Sequence, residues 1–123
     1  MRTNSRRDFM KGALLGGLAA SVFAKRVIGA NDDIRVGVVG LHGRGGSHVR
    51  AFRGIPGVRV AALCDVDRKV LEQRSKDAPE ALKYVDVRKL LENKDIDAIS
   101  IATPNHTHSL ITYWACVAGK DVY

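Results

Sequence analysis

Three short segments carry the turns and side chains that could do chemistry. In the first, Gly40-Leu41-His42-Gly43-Arg44-Gly45, glycines occupy the outer positions of a G-x-G-x-x-G spacing at Gly40 and Gly45, and His42 takes the middle one. Gly40 suits a tight turn out of a strand and Gly45 the close packing of a helix. Gly43, one residue past the middle, restores backbone freedom there. Free N–H groups and the dipole at a helix start hold phosphates, so Gly40, His42, Gly43, Arg44 and Gly45 form a candidate phosphate loop. In the second segment, Cys64-Asp65-Val66-Asp67, Asp65 lies 20 residues beyond Gly45. That is the separation of an acid that accepts hydrogen bonds from a ribose. Loop and acid together imply a dinucleotide. One carboxylate receiving two hydroxyls favours NAD over NADP, whose 2′-phosphate it would repel. The third segment, Thr103-Pro104-Asn105-His106-Thr107-His108, groups polar side chains where a nicotinamide ring is expected, with Asn105 or Thr107 suited to cap a helix. His42, His106 and His108 have no carboxylate or cysteine at metal-ligand spacing, so no metal site is expected.

Each segment follows an apolar run. Residues 34–39, 58–63 and 96–102 read as strands, rich in β-branched side chains and near-continuously apolar, as parallel strands covered on both faces are. A weaker strand is expected at 81–85 and another beginning at 121–123. Helical patterns fill the gaps at 45–53, 68–76, 87–93 and 110–118. Asp67 and Asp86 are of capping type, Leu110, Trp114 and Val117 form an apolar stripe, and Gly119 is a stop. Alternating strand and helix predicts an α/β fold: a Rossmann-type open parallel sheet with helices on both faces, incomplete at its C-terminal end. In such sheets ligands bind beyond the carboxyl ends of the strands, after residues 39, 63 and 102.

Composition places the chain among ordinary globular proteins, with 46% hydrophobic and 27% charged residues in 123. The formal charge of +7 is uneven: residues 1–30 hold six basic and one acidic side chain (+5), and 31–123 hold 14 basic and 12 acidic (+2). That near balance argues against nucleic acid as a partner of the body. The N-terminus orders Ser5-Arg6-Arg7-Asp8-Phe9-Met10-Lys11 before an apolar stretch at 12–24, then Lys25-Arg26 and small residues to Ala30. This is the pattern of a twin-arginine signal peptide over 1–30, with cleavage after Ala24 or Ala30, followed by a single domain at 31–123. The stretch would rise about 20 Å as a helix, short of a bilayer core of about 30 Å, so no permanent membrane span is expected. The expected partner is the twin-arginine export machinery and the expected location periplasmic or extracellular. Cys64 and Cys116 both read as small buried hydrophobes rather than a disulfide.

Residues 33–123 resemble the N-terminal half of the Gfo/Idh/MocA-type oxidoreductases. The likeness rests on Ile34-Arg35-Val36-Gly37-Val38-Val39-Gly40, Gly43-Arg44-Gly45 with His48, and Cys64-Asp65-Val66-Asp67. It extends through Leu90-Leu91 before Asp95-Ile96-Asp97-Ala98, and Ala102-Thr103-Pro104-Asn105 with His108. The resemblance implies an NAD(P)-dependent enzyme of sugars, inositols or related polyols that works as a homo-oligomer when complete. Gly40, Gly43 and Gly45 would line the pyrophosphate, Asp65 would hold the adenosine ribose, and Thr103, Pro104, Asn105 and His108 would border the nicotinamide half. His42 departs from the family's middle glycine. The family's Glu-Lys-Pro motif and substrate domain would follow Lys120-Asp121-Val122-Tyr123, so the chain reads as a C-terminally truncated cofactor half with no catalytic residue of its own. It is expected to bind NAD weakly and to turn nothing over alone. Two other readings stay open: the cofactor half of an NAD-dependent glycosidase of the same family, and a non-catalytic nucleotide-binding or regulatory module.

Overall fold

The computed structural model describes residues 33–123, so the export segment expected at 1–30 lies outside the described residues. Five strands, β1 (Ile34–Val39), β2 (Val58–Cys64), β3 (Leu82–Tyr84), β4 (Ala98–Ile101) and β5 (Asp121–Val122), form one sheet in the order β3-β2-β1-β4-β5. Every pairing is parallel, as the strand–helix alternation predicts. The crossovers carry α1 (Arg44–Arg53), α2 (Arg68–Ser75), α3 (Val87–Glu92) and α4 (Asn105–Val117). This is the Rossmann-type architecture.

The core lies in two layers, one on each face of the sheet. Val38 and Leu63 pack with Val49 of α1 and Leu71 of α2, whereas Val39, Ile99 and Ile101 pack with Leu90 of α3 and Ile111 and Ala115 of α4. Strand alternation puts Val38 and Val39 on opposite faces. In β2 the parity breaks, because Val36 pairs with Val60 but Gly37 with Ala62, leaving Ala61 as a bulge. The extra residue lets Val60 and Leu63, three apart, share a face, and it directs Ala62 and Cys64 to the other.

Away from the strand tips that end in the three polar segments, Arg35 clasps the sheet. Its backbone N–H and Nε donate to Asp97 Oδ2 at 2.8 and 3.0 Å, and its Nη1 donates to Asp95 Oδ1 at 2.8 Å. Those carboxylates, Asp97 first, hold the guanidinium well above its ordinary pKa. Lys120 Nζ donates to the carbonyls of Asn93 and Ile96 at 2.7 and 2.8 Å, and burial lowers its pKa.

Several expected boundaries move. β4 begins at Ala98, two residues late, although Asp97 just before it already pairs with β1, its N–H donating to the Arg35 carbonyl at 2.9 Å. α4 begins at Asn105, five residues early, with Pro104 at the N-cap, so neither Asn105 nor Thr107 caps it. Its buried side chains are Ile111 and Ala115, while Leu110 and Val117 of the expected stripe are exposed and Trp114 is half-buried. Cys64 is buried as expected, but Cys116 is exposed on the outer side of α4. Asp67 and Asp86 do cap: Asp67 Oδ1 accepts from Lys69 N at 2.9 Å, and Asp86 Oδ1 from Arg88 N at 2.9 Å.

Candidate functional site at the strand tips

A cleft of about 780 Å³ runs across the carboxyl ends of four neighbouring strands, with Gly40 of the β1 tip, Asp65 of the β2 tip, Asp86 of the β3 tip and Thr103 of the β4 tip on its wall. The tips are tied edge to edge. Gly40 N donates to Cys64 O at 2.9 Å, Asp65 N to Tyr84 O at 3.1 Å, and Ala102 N to Val39 O at 2.8 Å.

Gly40 sits where two strand exits nearly touch. Its φ is +85°, and a Cβ there would come within 2.8 Å of Ala102 C and Thr103 N. Only glycine lets the β1 exit pass so near the β4 exit. Gly45, buried under the same turn, would bring a Cβ to 1.7 Å from the Gly40 carbonyl oxygen, so the start of α1 can rest directly on the bend. Gly43 forms the α1 N-cap with no side-chain hydrogen bond to the helix. The first turn of α1 therefore presents backbone donors without a side-chain acceptor, the arrangement that receives an anion.

Asp65, 7% exposed, joins two tips. Its Oδ2 accepts from Leu41 N at 2.7 Å and its Oδ1 from Asp67 N at 2.9 Å. Each oxygen thus holds one backbone donor and keeps a second lone pair for a hydroxyl. His42 does not block the bend. Its side chain is 72% exposed and leans toward Asp67, Nε2 lying 3.8 Å from Asp67 Oδ2.

Of the residues singled out by sequence, Gly40, His42, Asp65, Thr103 and Pro104 line this one cleft. Gly43 and Arg44 are exposed at the start of α1, Gly45 is buried behind the bend, and Asn105 is exposed in the first turn of α4. His108 supports the loop from behind: its Nε2 lies 2.6 Å from the Thr103 carbonyl oxygen. A carbonyl only accepts, so that nitrogen carries the proton. Thr107 Oγ1 lies 2.7 Å from Thr103 Oγ1 and 2.7 Å from Pro104 O, closing the same turn. Sequence reasoning treated three tips and missed the fourth, where Val85, Val87 and Arg88 join the wall with Val66. The signal was the weak strand at 81–85, whose end was read only for its cap.

Electrostatics at the tips discourage covalent chemistry by the chain's own thiol. Burial, and then the nearby charges of Asp65 and Asp86, push Cys64 up to about 12. Hydrogen bonds from Arg88 draw Asp86 down to about 2. Among the described residues no three His, Cys, Asp or Glu side chains stand close enough together to hold a metal ion, and no helix is long and apolar enough to cross a membrane.

A parallel sheet with a glycine bend, an uncapped helix start and a buried acid on adjoining tips defines a dinucleotide-binding Rossmann domain. Residues 34–123 match the model of the Gfo/Idh/MocA oxidoreductase family, NAD-binding Rossmann fold. The chain belongs to that family. A glycosyl hydrolase family 109 protein of Solibacter usitatus is 34% identical over 99% of this chain and 32% of its own length. Another, from Bacteroides fragilis, is 37% identical over 74% of this chain and 22% of its own. Among solved structures, the scyllo-inositol dehydrogenase of Lactobacillus casei with bound NAD(H) and scyllo-inositol superposes with a TM-score of 0.70 at 27% identity, covering 74% of this chain and 27% of that one. The myo-inositol 2-dehydrogenase of Lactobacillus plantarum gives 0.69 at 29% identity, with coverage of 74% and 27%. The chain thus spans about a third or less of the length of these relatives.

Proposed function

We propose that the cleft holds NAD and that this domain is the cofactor half of an exported enzyme acting on sugars or related polyols. The observation that carries the reading is the Asp65 carboxylate bound to Leu41 N at 2.7 Å, which puts an acid beside the glycine bend. The residues present fit the cofactor: a bend with no room for a Cβ, helix donors without a side-chain cap, and an acid with unused lone pairs. In this reading the start of α1 binds the pyrophosphate and Asp65 orients the adenosine ribose. Its negative charge disfavours a 2′-phosphate, which supports NAD over NADP. Thr103 and Pro104, braced by Thr107 and His108, shape the nicotinamide end and exclude water from it. Bound NAD supplies hydride acceptance and return. The inositol dehydrogenase neighbours support a polyol substrate, and Arg6-Arg7 ahead of an apolar stretch supports export.

A second reading has specific support, since the relatives named above are called glycosyl hydrolases. Transient oxidation and re-reduction of a sugar, with elimination of its glycosidic bond in between, would make a hydrolase of an NAD-binding domain. Calorimetric titration of the chain with NAD and NADP tests the site; binding of NAD in clear preference to NADP is expected, and absence of binding overturns it. Cofactor retained through purification would favour the glycosidase reading. Fractionation of cells expressing the chain and its Arg6→Lys/Arg7→Lys variant tests export, which the variant should abolish.

A further inference from the structure

The loops that follow β1 and β2 are joined twice, at two depths. The inner join is Asp65, whose Oδ2 accepts from Leu41 N at 2.7 Å and whose Oδ1 accepts from Asp67 N at 2.9 Å. The outer one is made by side chains: His42, next after Leu41, brings Nε2 to 3.8 Å from Asp67 Oδ2, and both residues line the cleft. Asp65 is buried, whereas the His42 and Asp67 side chains are 72% and 46% exposed. Asp67 divides its oxygens, for Oδ1 caps α2 by accepting from Lys69 N and Val70 N, and Oδ2 is the one that faces the imidazole. The His42 carbonyl accepts from Gly45 N at 2.9 Å, which ties down the backbone of the bend and leaves the side chain to move. This imidazole stands where the G-x-G-x-x-G spacing has its middle glycine, so the outer join depends on that departure.

We propose that His42 and Asp67 form a clasp across the mouth of the cleft, which closes beside the pyrophosphate and holds the dinucleotide more tightly when the imidazole is protonated. The proposal rests on the site reading above and extends it to how cofactor retention is controlled. A cation at His42 is drawn to Asp67 on one side and to the phosphates on the other, so closure and binding reinforce each other. Lowering the pH from 8 to 6 protonates imidazoles as a class and leaves carboxylates and guanidiniums charged. The other charged groups on this wall are Asp65 and the Asp86–Arg88 pair, whose Nη2 and Oδ2 lie 2.6 Å apart. Arg44 and Arg68 are exposed in the first turns of α1 and α2. His106, at the start of α4, is the second imidazole on the wall and serves as the control.

Calorimetric titration of the full chain with NAD at pH 8 and pH 6 tests the clasp. NAD should bind about fivefold more tightly at pH 6, the scale of one exposed ion pair. His106→Gln should keep that gain. His42→Gln should lose it, and so should Asp67→Asn, which retains a side-chain oxygen to cap α2. Urea midpoints of all three variants should match the unaltered chain at each pH. If the unaltered chain binds NAD equally at both pH values, or if the gain survives His42→Gln, the clasp is overturned and the site stands. If Asp67→Asn keeps the gain, the imidazole acts on the phosphates alone and the clasp is likewise overturned. If the unaltered chain binds NAD at neither pH, the site reading falls and this one with it.

Discussion

The Asp65 carboxylate stands 2.7 Å from the Leu41 backbone N–H, so the acid at the end of β2 holds the turn that follows β1. One side chain thereby serves the fold and the proposed site, and its replacement separates charge from shape. Asp65→Asn can keep only one of the two acceptors, leaving Leu41 N or Asp67 N facing an amide NH₂. Urea unfolding should show a loss of about 1–3 kcal/mol, and titration a fall in NAD affinity beyond what the residual folded fraction explains.

Gly40 and Gly43 should respond differently to alanine. At Gly40 the added Cβ meets backbone at 2.8 Å with φ at +85°, whereas at Gly43, φ +39°, nothing lies within 4 Å. Gly40→Ala should cost about 2–3 kcal/mol and abolish cofactor binding. Gly43→Ala should cost about 1 kcal/mol. Equal losses in the two urea titrations would contradict this account of the bend.

Arg35 should prove a structural cation rather than a ligand-binding one. It is 8% exposed, and its removal leaves the half-buried Asp97 without this partner. Arg35→Met should destabilise the domain by about 3 kcal/mol, as breaking a buried pair does, while the NAD affinity of the folded protein stays the same.

The two cysteines should separate in a thiol-labelling time course. Exposed Cys116 reacts with a disulfide reagent in the native protein, and Cys64 does so only on unfolding. Cys64 also sets a pH dependence. Its folded pKa of about 12 lies above the ordinary value of 9.0, so the folded state favours the neutral thiol. That contribution is intact at neutral pH and is lost as pH rises from about 9 toward about 12, where the unfolded thiol ionises first. Thermal melts of the Cys64→Ala variant should show a shallower alkaline decline.

Much of the fold and site could be read from residue types because local and global preferences agree. The β-branched runs became β1 and β2, Asp67 and Asp86 became caps, and the spacing from Gly45 to Asp65 became adjoining tips. What failed was orientation and packing. Apolar residues surround α4 at positions 110, 111, 114, 115 and 117, so composition alone does not fix which side meets the sheet. The structure turns Ile111 and the small Ala115 inward and leaves Leu110 and Cys116 outside, where large side chains were expected to lead. The place of Asp65 at the β2 tip was legible, but its bond to Leu41 was not, since that contact depends on strand order across 24 residues. The β3 tip was missed because a three-residue strand gives almost no periodic signal.

The central claim, that NAD lies across the tips of β1, β2 and β4, is tested most directly by amide NMR of the labelled chain during NAD titration. The account predicts that perturbed amides gather at 40–45, 65–67 and 103–104, with Leu41 and Asp67 among the largest shifts. Perturbations confined to the opposite edge of the sheet, around Arg35 and Lys120, or none at saturating NAD, would contradict it.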